Sequence, residues 1–239
     1  MATTARQPVS SSAPLAFNTV DITFAGDHVM LSGQLDYPAA PPPQDGYPLV
    51  FVLHHAGPES RERYWHYARL ALAGGCAVFR WDKRGTGRSG AGGYGSTSQD
   101  AVDAYETALG QPRINRHRAV ILAQCAGTGL LGAAYGLFAR VQRPYGAALV
   151  SNMLDETAIL ALEAPVCIVM AEHDWNTWER FGRAASEAHN RAYRHGAEYH
   201  VVPGVDRRLL LGKGDLQTFH PLAEQALQRW LQKLCSVSR

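Results

Sequence analysis

A cysteine stands between two small residues in the segment Ala123-Gln124-Cys125-Ala126-Gly127. Four apolar residues, 119–122, precede this segment, and a run rich in glycine and alanine, 127–134, follows it. A nucleophile at a sharp turn from a buried strand to a helix needs small residues two positions before and after it, because the turn leaves no room for larger side chains. The helix N-terminus favours negative charge, so the pattern predicts a nucleophilic Cys125 whose thiol is partly ionised near neutral pH. The alternative is a cysteine that the turn of an inactive protein merely tolerates.

The elements that would position this cysteine alternate along the chain. Residues 17–24 and 29–36 carry alternating apolar residues around a turn-like segment, which predicts an antiparallel hairpin. A continuous apolar run predicts a strand buried on both faces at 49–53, and further strands are expected at 77–81, 119–122, 147–151, 166–170 and 199–202. Helices are expected at 64–73, 99–109, 126–138, 178–195 and 221–234. This order predicts an α/β fold with a mostly parallel eight-stranded sheet and helices on both faces. In such sheets ligands bind outside the carboxyl ends of the strands.

Four segments together resemble the α/β-hydrolase superfamily, from about residue 17 to the C-terminus. They are the segment around Cys125, His54-His55-Ala56-Gly57-Pro58, the Gly-rich stretch 80–89 with its Asp-x-Arg-Gly-x-Gly-x-Ser pattern, and Ala171-Glu172-His173-Asp174. The cysteine is similar to that of dienelactone-hydrolase-type members. The resemblance implies a single domain over 17–239. We expect no substantial lid, because only residues 152–164 separate two predicted strands. Residues 1–16, rich in Ser, Thr, Ala and Pro, are expected to form a disordered leader.

The resemblance also implies roles for individual residues. Cys125 would be the nucleophile and Asp174 the acidic member of the triad. The backbone N–H groups of Ala56 and Ala126 would form an oxyanion hole. His55 is a departure, because the superfamily usually has glycine at this position, and the loop conformation is in doubt there.

A second departure concerns the base, since the superfamily carries a histidine after the last strand, where this chain has Arg207 in the segment 203–209. Arginine stays protonated at any working pH and cannot act as a general base. Three interpretations remain open. His220, before the last helix, takes the role; or Arg207 pairs with the Cys125 thiolate; or the triad is broken.

The predicted function is therefore a hydrolase or acyltransferase acting on an ester or thioester through a Cys125 acyl-enzyme, without a cofactor or a metal. The alternative is a non-catalytic binding or interaction protein with this fold. If Arg207 pairs with the Cys125 thiolate, the site has no proton donor for the leaving group. Thioesters and activated esters would then be preferred, since a thiolate leaving group departs without protonation. The acyl-enzyme would accumulate or pass its acyl group to an amine or thiol. A shallow lidless site suits a long or carrier-tethered acyl group.

Composition limits the partners. The 239 residues carry a formal charge of +2, too small to predict binding to nucleic acid or to an anionic membrane, so a small-molecule or carrier-tethered acyl substrate is expected. No apolar run approaches the roughly 20 residues of a membrane-spanning helix. The four cysteines have neither metal-ligand spacing nor the density of a disulfide scaffold, which favours a reducing cytoplasm. The sequence leaves the oligomeric state open.

Overall fold

A computed structural model describes residues 16–54, 57–174, 178–212 and 217–235 of the protein. The predicted alternation of strands and helices is confirmed. The strands are β1 (Phe17–Gly26), β2 (Val29–Pro38), β3 (Tyr47–Leu53), β4 (Ala77–Asp82), β5 (Ile114–Gln124), β6 (Gly146–Val150), β7 (Val166–His173) and β8 (Ala197–Asp206). The helices are α1 (Trp65–Ala73), α2 (Thr97–Leu109), α3 (Ala126–Gln142), α4 (Trp178–Ala192) and α5 (Pro221–Cys235).

One eight-stranded sheet organises these elements, in the order β1-β2-β4-β3-β5-β6-β7-β8. β1 pairs with β2 and β2 with β4 in antiparallel fashion, and every other pair in the sheet is parallel. The hairpin turns tightly at Asp27 and His28, and His28 takes a positive φ of 53°. The sheet is therefore mostly parallel with an N-terminal antiparallel hairpin, as the sequence predicts.

Both faces of the sheet are covered because successive side chains of a strand point to opposite faces. In β3, Leu49, Phe51 and Leu53 join a core that α2, α3 and α4 complete. Val50 and Val52 join a second core, which α1 and α5 cover. The central strands are buried on both sides, which explains their continuous apolar runs.

Buried ion pairs hold the hairpin against the parallel part of the sheet. Arg80 and Asp36, which are 1% and 0% exposed, form an ion pair of 2.7 Å between β4 and β2. Arg61 contacts Asp82 at 3.4 Å, and its backbone N–H donates to the same carboxylate at 2.7 Å. Arg80 also lies 3.7 Å from Glu62, and Arg61 lies 3.1 Å from Asp21, so each buried arginine has a second, more exposed carboxylate nearby.

Two connections contain structure other than regular helices. Between β6 and β7 the chain forms one short 3-10 turn, Ala158–Ala161, and no helical subdomain. After β8 it forms a two-stranded ribbon, β9 (Leu210–Leu211) with β10 (Thr218–Phe219), which was not predicted because two-residue strands carry no periodic pattern. The predicted leader, 1–16, lies outside the described residues except for Ala16. None of the helices described is long and apolar enough to span a membrane.

Candidate active site

Cys125 stands alone between β5, which ends at Gln124, and α3, which begins at Ala126. Its backbone has φ 49° and ψ −121°, a conformation that costs a residue with a side chain about 1–3 kcal/mol and occurs mainly at functional sites. Its N–H donates to the Val150 carbonyl at 2.9 Å, and its own carbonyl accepts from the Thr128 N–H at 2.8 Å. The predicted sharp turn from strand to helix is confirmed.

The glycine two positions later is required by close packing. A Cβ atom on Gly127 would lie 2.4 Å from the backbone oxygen of Leu53, at the end of β3. Backbone cannot move aside as a flexible side chain can. Gly127 therefore lets α3 begin close beneath the sheet, with Cys125 raised at its edge.

An open cleft of about 280 Å³ lies over the carboxyl ends of the strands, and Cys125 is part of its lining. Arg207 and Arg208 line it from the turn after β8, and Gln124 lines it from the end of β5. Tyr64 and His66 line it from the connection between β3 and β4. The cleft lies at the edge of the sheet where the strand order predicts ligand binding.

The thiol of Cys125 is half-buried, and burial raises its pKa above the ordinary value. The charge of Arg207 and a hydrogen bond from Arg207 act in the opposite direction, as does the neighbouring hydroxyl of Ser151. The negative charge of Asp174 raises the pKa further. The net shift is upward, so the thiol is neutral near neutral pH. This direction is opposite to the partial ionisation predicted from the sequence, because burial disfavours the charged form of the thiol.

Arg207 is held at the thiol by the ends of two strands. Residues 203–206 were predicted as loop, but β8 continues through them, and Asp206 pairs with His173 of β7. Arg207 is thus the first residue after the strand. Its carbonyl accepts a hydrogen bond of 2.5 Å from the Ser151 hydroxyl, and Ser151 directly follows β6 with a positive φ of 51°.

The structure brings three predicted site residues together, and His220 is not among them. Cys125, Arg207 and Asp174 interact at the ends of β5, β8 and β7. His220 lies directly before α5, where its Nδ1 accepts a hydrogen bond of 3.2 Å from the Leu222 N–H. In the part of the chain that the structure describes, His220 neither lines the cleft nor contributes to the pKa shift of the thiol.

The structure describes one of the two predicted oxyanion donors, Ala126. Ala126 is the first residue of α3, where a backbone N–H has no partner within the helix. This N–H therefore remains available beside the nucleophile. His55 and Ala56 lie outside the described residues.

Sequence reasoning missed several cleft residues, among them Tyr64 and His66. The His66 ring packs against Tyr67 and Phe219, with centroids 4.0 and 4.9 Å apart. Burial, reinforced by the charges of Arg63 and Arg69, lowers the pKa of His66 to about 4, so the imidazole is neutral near neutral pH. No sequence motif contains either residue, and only the three-dimensional path of the chain brings them to the cleft.

No group of three or more histidine, cysteine or acidic side chains among the described residues is arranged to hold a metal ion.

The Gly-rich stretch 80–89 contributes to the structure of its loop. The Ser89 hydroxyl donates to the Asp82 carbonyl at 2.6 Å, and Arg84 pairs with Asp100 at 2.8 Å. These side chains stabilise the loop after β4.

Comparison with known proteins gives matches among solved structures only. No family model matches the sequence, and no curated protein matches it. Est1E of Butyrivibrio proteoclasticus, solved with ferulic acid, has a TM-score of 0.69 at 14% identity, over 90% of this chain and 100% of that one. Dienelactone hydrolase of Anabaena variabilis has a TM-score of 0.65 at 13% identity, over 91% and 96% of the two chains. Carboxyl esterase 2 of Tuber melanosporum has a TM-score of 0.64 at 15% identity, over 95% and 89%.

The chain has the α/β-hydrolase fold. Identities this low establish the fold alone. In this α/β-hydrolase fold the strained turn carries Cys125, and the position after β8 carries Arg207.

Proposed function

We propose that the chain is an esterase- or thioesterase-type hydrolase, or an acyltransferase, that works through an S-acyl intermediate on Cys125. The observation that carries this proposal is the strained turn that presents Cys125 in an open cleft, with Arg207 hydrogen-bonded to its sulfur. The similar structures named for dienelactone hydrolase and carboxyl esterase support an acyl-group chemistry at this position of the fold.

The reaction begins from the minority thiolate. The Cys125 sulfur forms a bond to the acyl carbon, and the electron pair of the carbonyl moves onto its oxygen. When that pair returns, the bond to the alcohol or thiol breaks and the leaving group departs with its electrons. The cationic guanidinium of Arg207 stabilises the thiolate before attack, because it lies within hydrogen-bonding range of the sulfur.

Arg207 also sets the preferred substrate, because it keeps its proton and cannot give one to a leaving alkoxide. A thiolate, whose conjugate acid has a pKa near about 8.5, leaves without protonation. Thioesters and aryl esters are therefore the favoured donors. Hydrolysis of the intermediate needs a base to activate water, so the acyl group stays on Cys125 or passes to an amine or thiol that is a stronger nucleophile.

A matched pair of substrates tests this function: a thioester and an alkyl ester with the same acyl group. We expect turnover or acyl transfer with the thioester and little with the alkyl ester. Cys125→Ala removes the activity, and Cys125→Ser reduces it strongly because a serine hydroxyl stays protonated beside Arg207. Thioester turnover that survives Cys125→Ala would contradict the mechanism. Absence of any reaction with the parent protein would favour the non-catalytic binding interpretation.

A further inference from the structure

Tyr64 presents a phenol to the cleft that contains Cys125. It ends the 3-10 turn Arg61–Tyr64, directly before α1. Its ring lies 4.4 Å from the His54 ring and stacks at 6.5 Å on the Tyr67 ring, so only 8% of the residue is exposed. The packing fixes the ring in the wall of the cleft.

The phenol of Tyr64 is kept as a hydrogen-bond donor. Burial raises its pKa, and the negative charges of Glu59 and of the Cys125 thiolate raise it further. The charge of Cys125 acts on Tyr64 because the two side chains are close. Within the part of the chain that the structure describes, the hydroxyl of Tyr64 makes no hydrogen bond. A protonated phenol therefore lines the same cleft as the Cys125 sulfur, where a substrate can reach it.

We propose that the Tyr64 hydroxyl donates a hydrogen bond to the acyl oxygen of the substrate while negative charge develops on it. This role rests on the proposed function. Attack by the Cys125 sulfur moves an electron pair onto that oxygen, and a fixed donor stabilises the charge without reorganising. The pair returns when the leaving group departs. Tyr64 keeps its proton throughout, so it supplements the N–H of Ala126 and does not replace the missing base.

The location favours the acyl oxygen over the leaving group. Tyr64 follows β3, and the oxyanion loop predicted from the sequence, residues 54–58, lies between that strand and Tyr64. Arg207 reaches the sulfur from the turn after β8. A cation and a neutral donor therefore come from two different connections. Arg207 can stabilise the thiolate while Tyr64 stabilises the charge on the acyl oxygen.

Tyr64→Phe tests the role, because it removes only the hydroxyl and keeps the ring packing. Tyr135→Phe is the matched control, since it also removes one phenol hydroxyl without a hydrogen-bond partner, but from the core on the other face of the sheet. With a thioester we expect kcat to fall about a hundredfold in Tyr64→Phe, with KM nearly unchanged, as for loss of one oxyanion donor. Tyr135→Phe should match the parent.

Alkylation of Cys125 by iodoacetamide provides the second readout, because it creates no oxyanion. We expect the rate of alkylation in Tyr64→Phe to stay within about twofold of the parent rate. An unchanged kcat, or a fall in kcat matched by an equal fall in alkylation, would overturn the role while the proposed function stands. If the parent protein forms no S-acyl intermediate on Cys125, the proposed function fails first, and the role of Tyr64 fails with it.

Discussion

Replacing Arg207 with methionine removes the cation and the hydrogen-bond donor at the Cys125 sulfur while keeping an unbranched side chain. Both contributions of Arg207 lower the pKa of the thiol, against burial, which raises it. In Arg207→Met the thiol pKa therefore rises further. The thiolate population at a fixed pH below that pKa falls in proportion.

The magnitude follows from the contact. A hydrogen bond to a charged group contributes about 1.5–3 kcal/mol, and the open cleft places this one at the lower end because solvent screens it. About 1.5 kcal/mol corresponds to roughly a tenfold change in the thiolate population. We therefore expect Arg207→Met to slow alkylation of Cys125 about tenfold at slightly alkaline pH.

The assay is alkylation by iodoacetamide followed by intact-protein mass spectrometry. A neutral reagent is used so that loss of the cation does not change its attraction to the cleft. Cys125→Ala gives the background from the other three cysteines, which are buried. Arg208→Met is the matched control, because Arg208 lines the same cleft but pairs with Asp206 at 3.1 Å. Equal or faster alkylation in Arg207→Met, or equal slowing in Arg208→Met, would refute the reasoning.

Three further predictions concern the thiol and the fold. Because burial raises the pKa of Cys125, alkylation of the parent protein should keep accelerating above pH 9.0, the ordinary value, whereas a plateau at lower pH would contradict the raised pKa. Gly127→Ala should lower the free energy of unfolding, measured in urea, by about 1–3 kcal/mol because the added methyl group overpacks the site. Gly129 lies in the same helix, and a Cβ atom added there has no neighbour within 4 Å. Gly129→Ala should therefore raise the free energy of unfolding by up to about 1 kcal/mol. Asp36→Asn should lower it by about 3–5 kcal/mol, because the buried charge of Arg80 then has only the exposed Glu62 at 3.7 Å. A loss below about 1 kcal/mol would show that the pair is not buried as described.

The fold was predictable because its determinants are local. Strands buried on both faces need continuous apolar runs, and a strained turn against a neighbouring strand needs glycine, so β3, β5 and the turn at Cys125 are visible in the sequence. The ribbon of β9 and β10 was not, since its strands are too short for a pattern.

The chemistry of the site was predictable only in part. The location of residues 125, 174 and 207 after predicted strands could be inferred from the sequence. The pKa of the thiol depends on burial, which no motif encodes, and the dipole argument gave it the wrong direction. The contact of Ser151 with Arg207 joins residues far apart in the chain and depends on the parallel sheet that places the ends of β6 and β8 at one edge.

The central claim, that Cys125 accepts an acyl group, is tested most directly by mass spectrometry of the protein after mixing with 4-nitrophenyl acetate. The account predicts one added acetyl group, located by peptide mapping on Cys125, that persists in water and is released by an added thiol. It predicts no such adduct in Cys125→Ala. An unmodified parent protein, or an acetyl group on any residue other than Cys125, would contradict it.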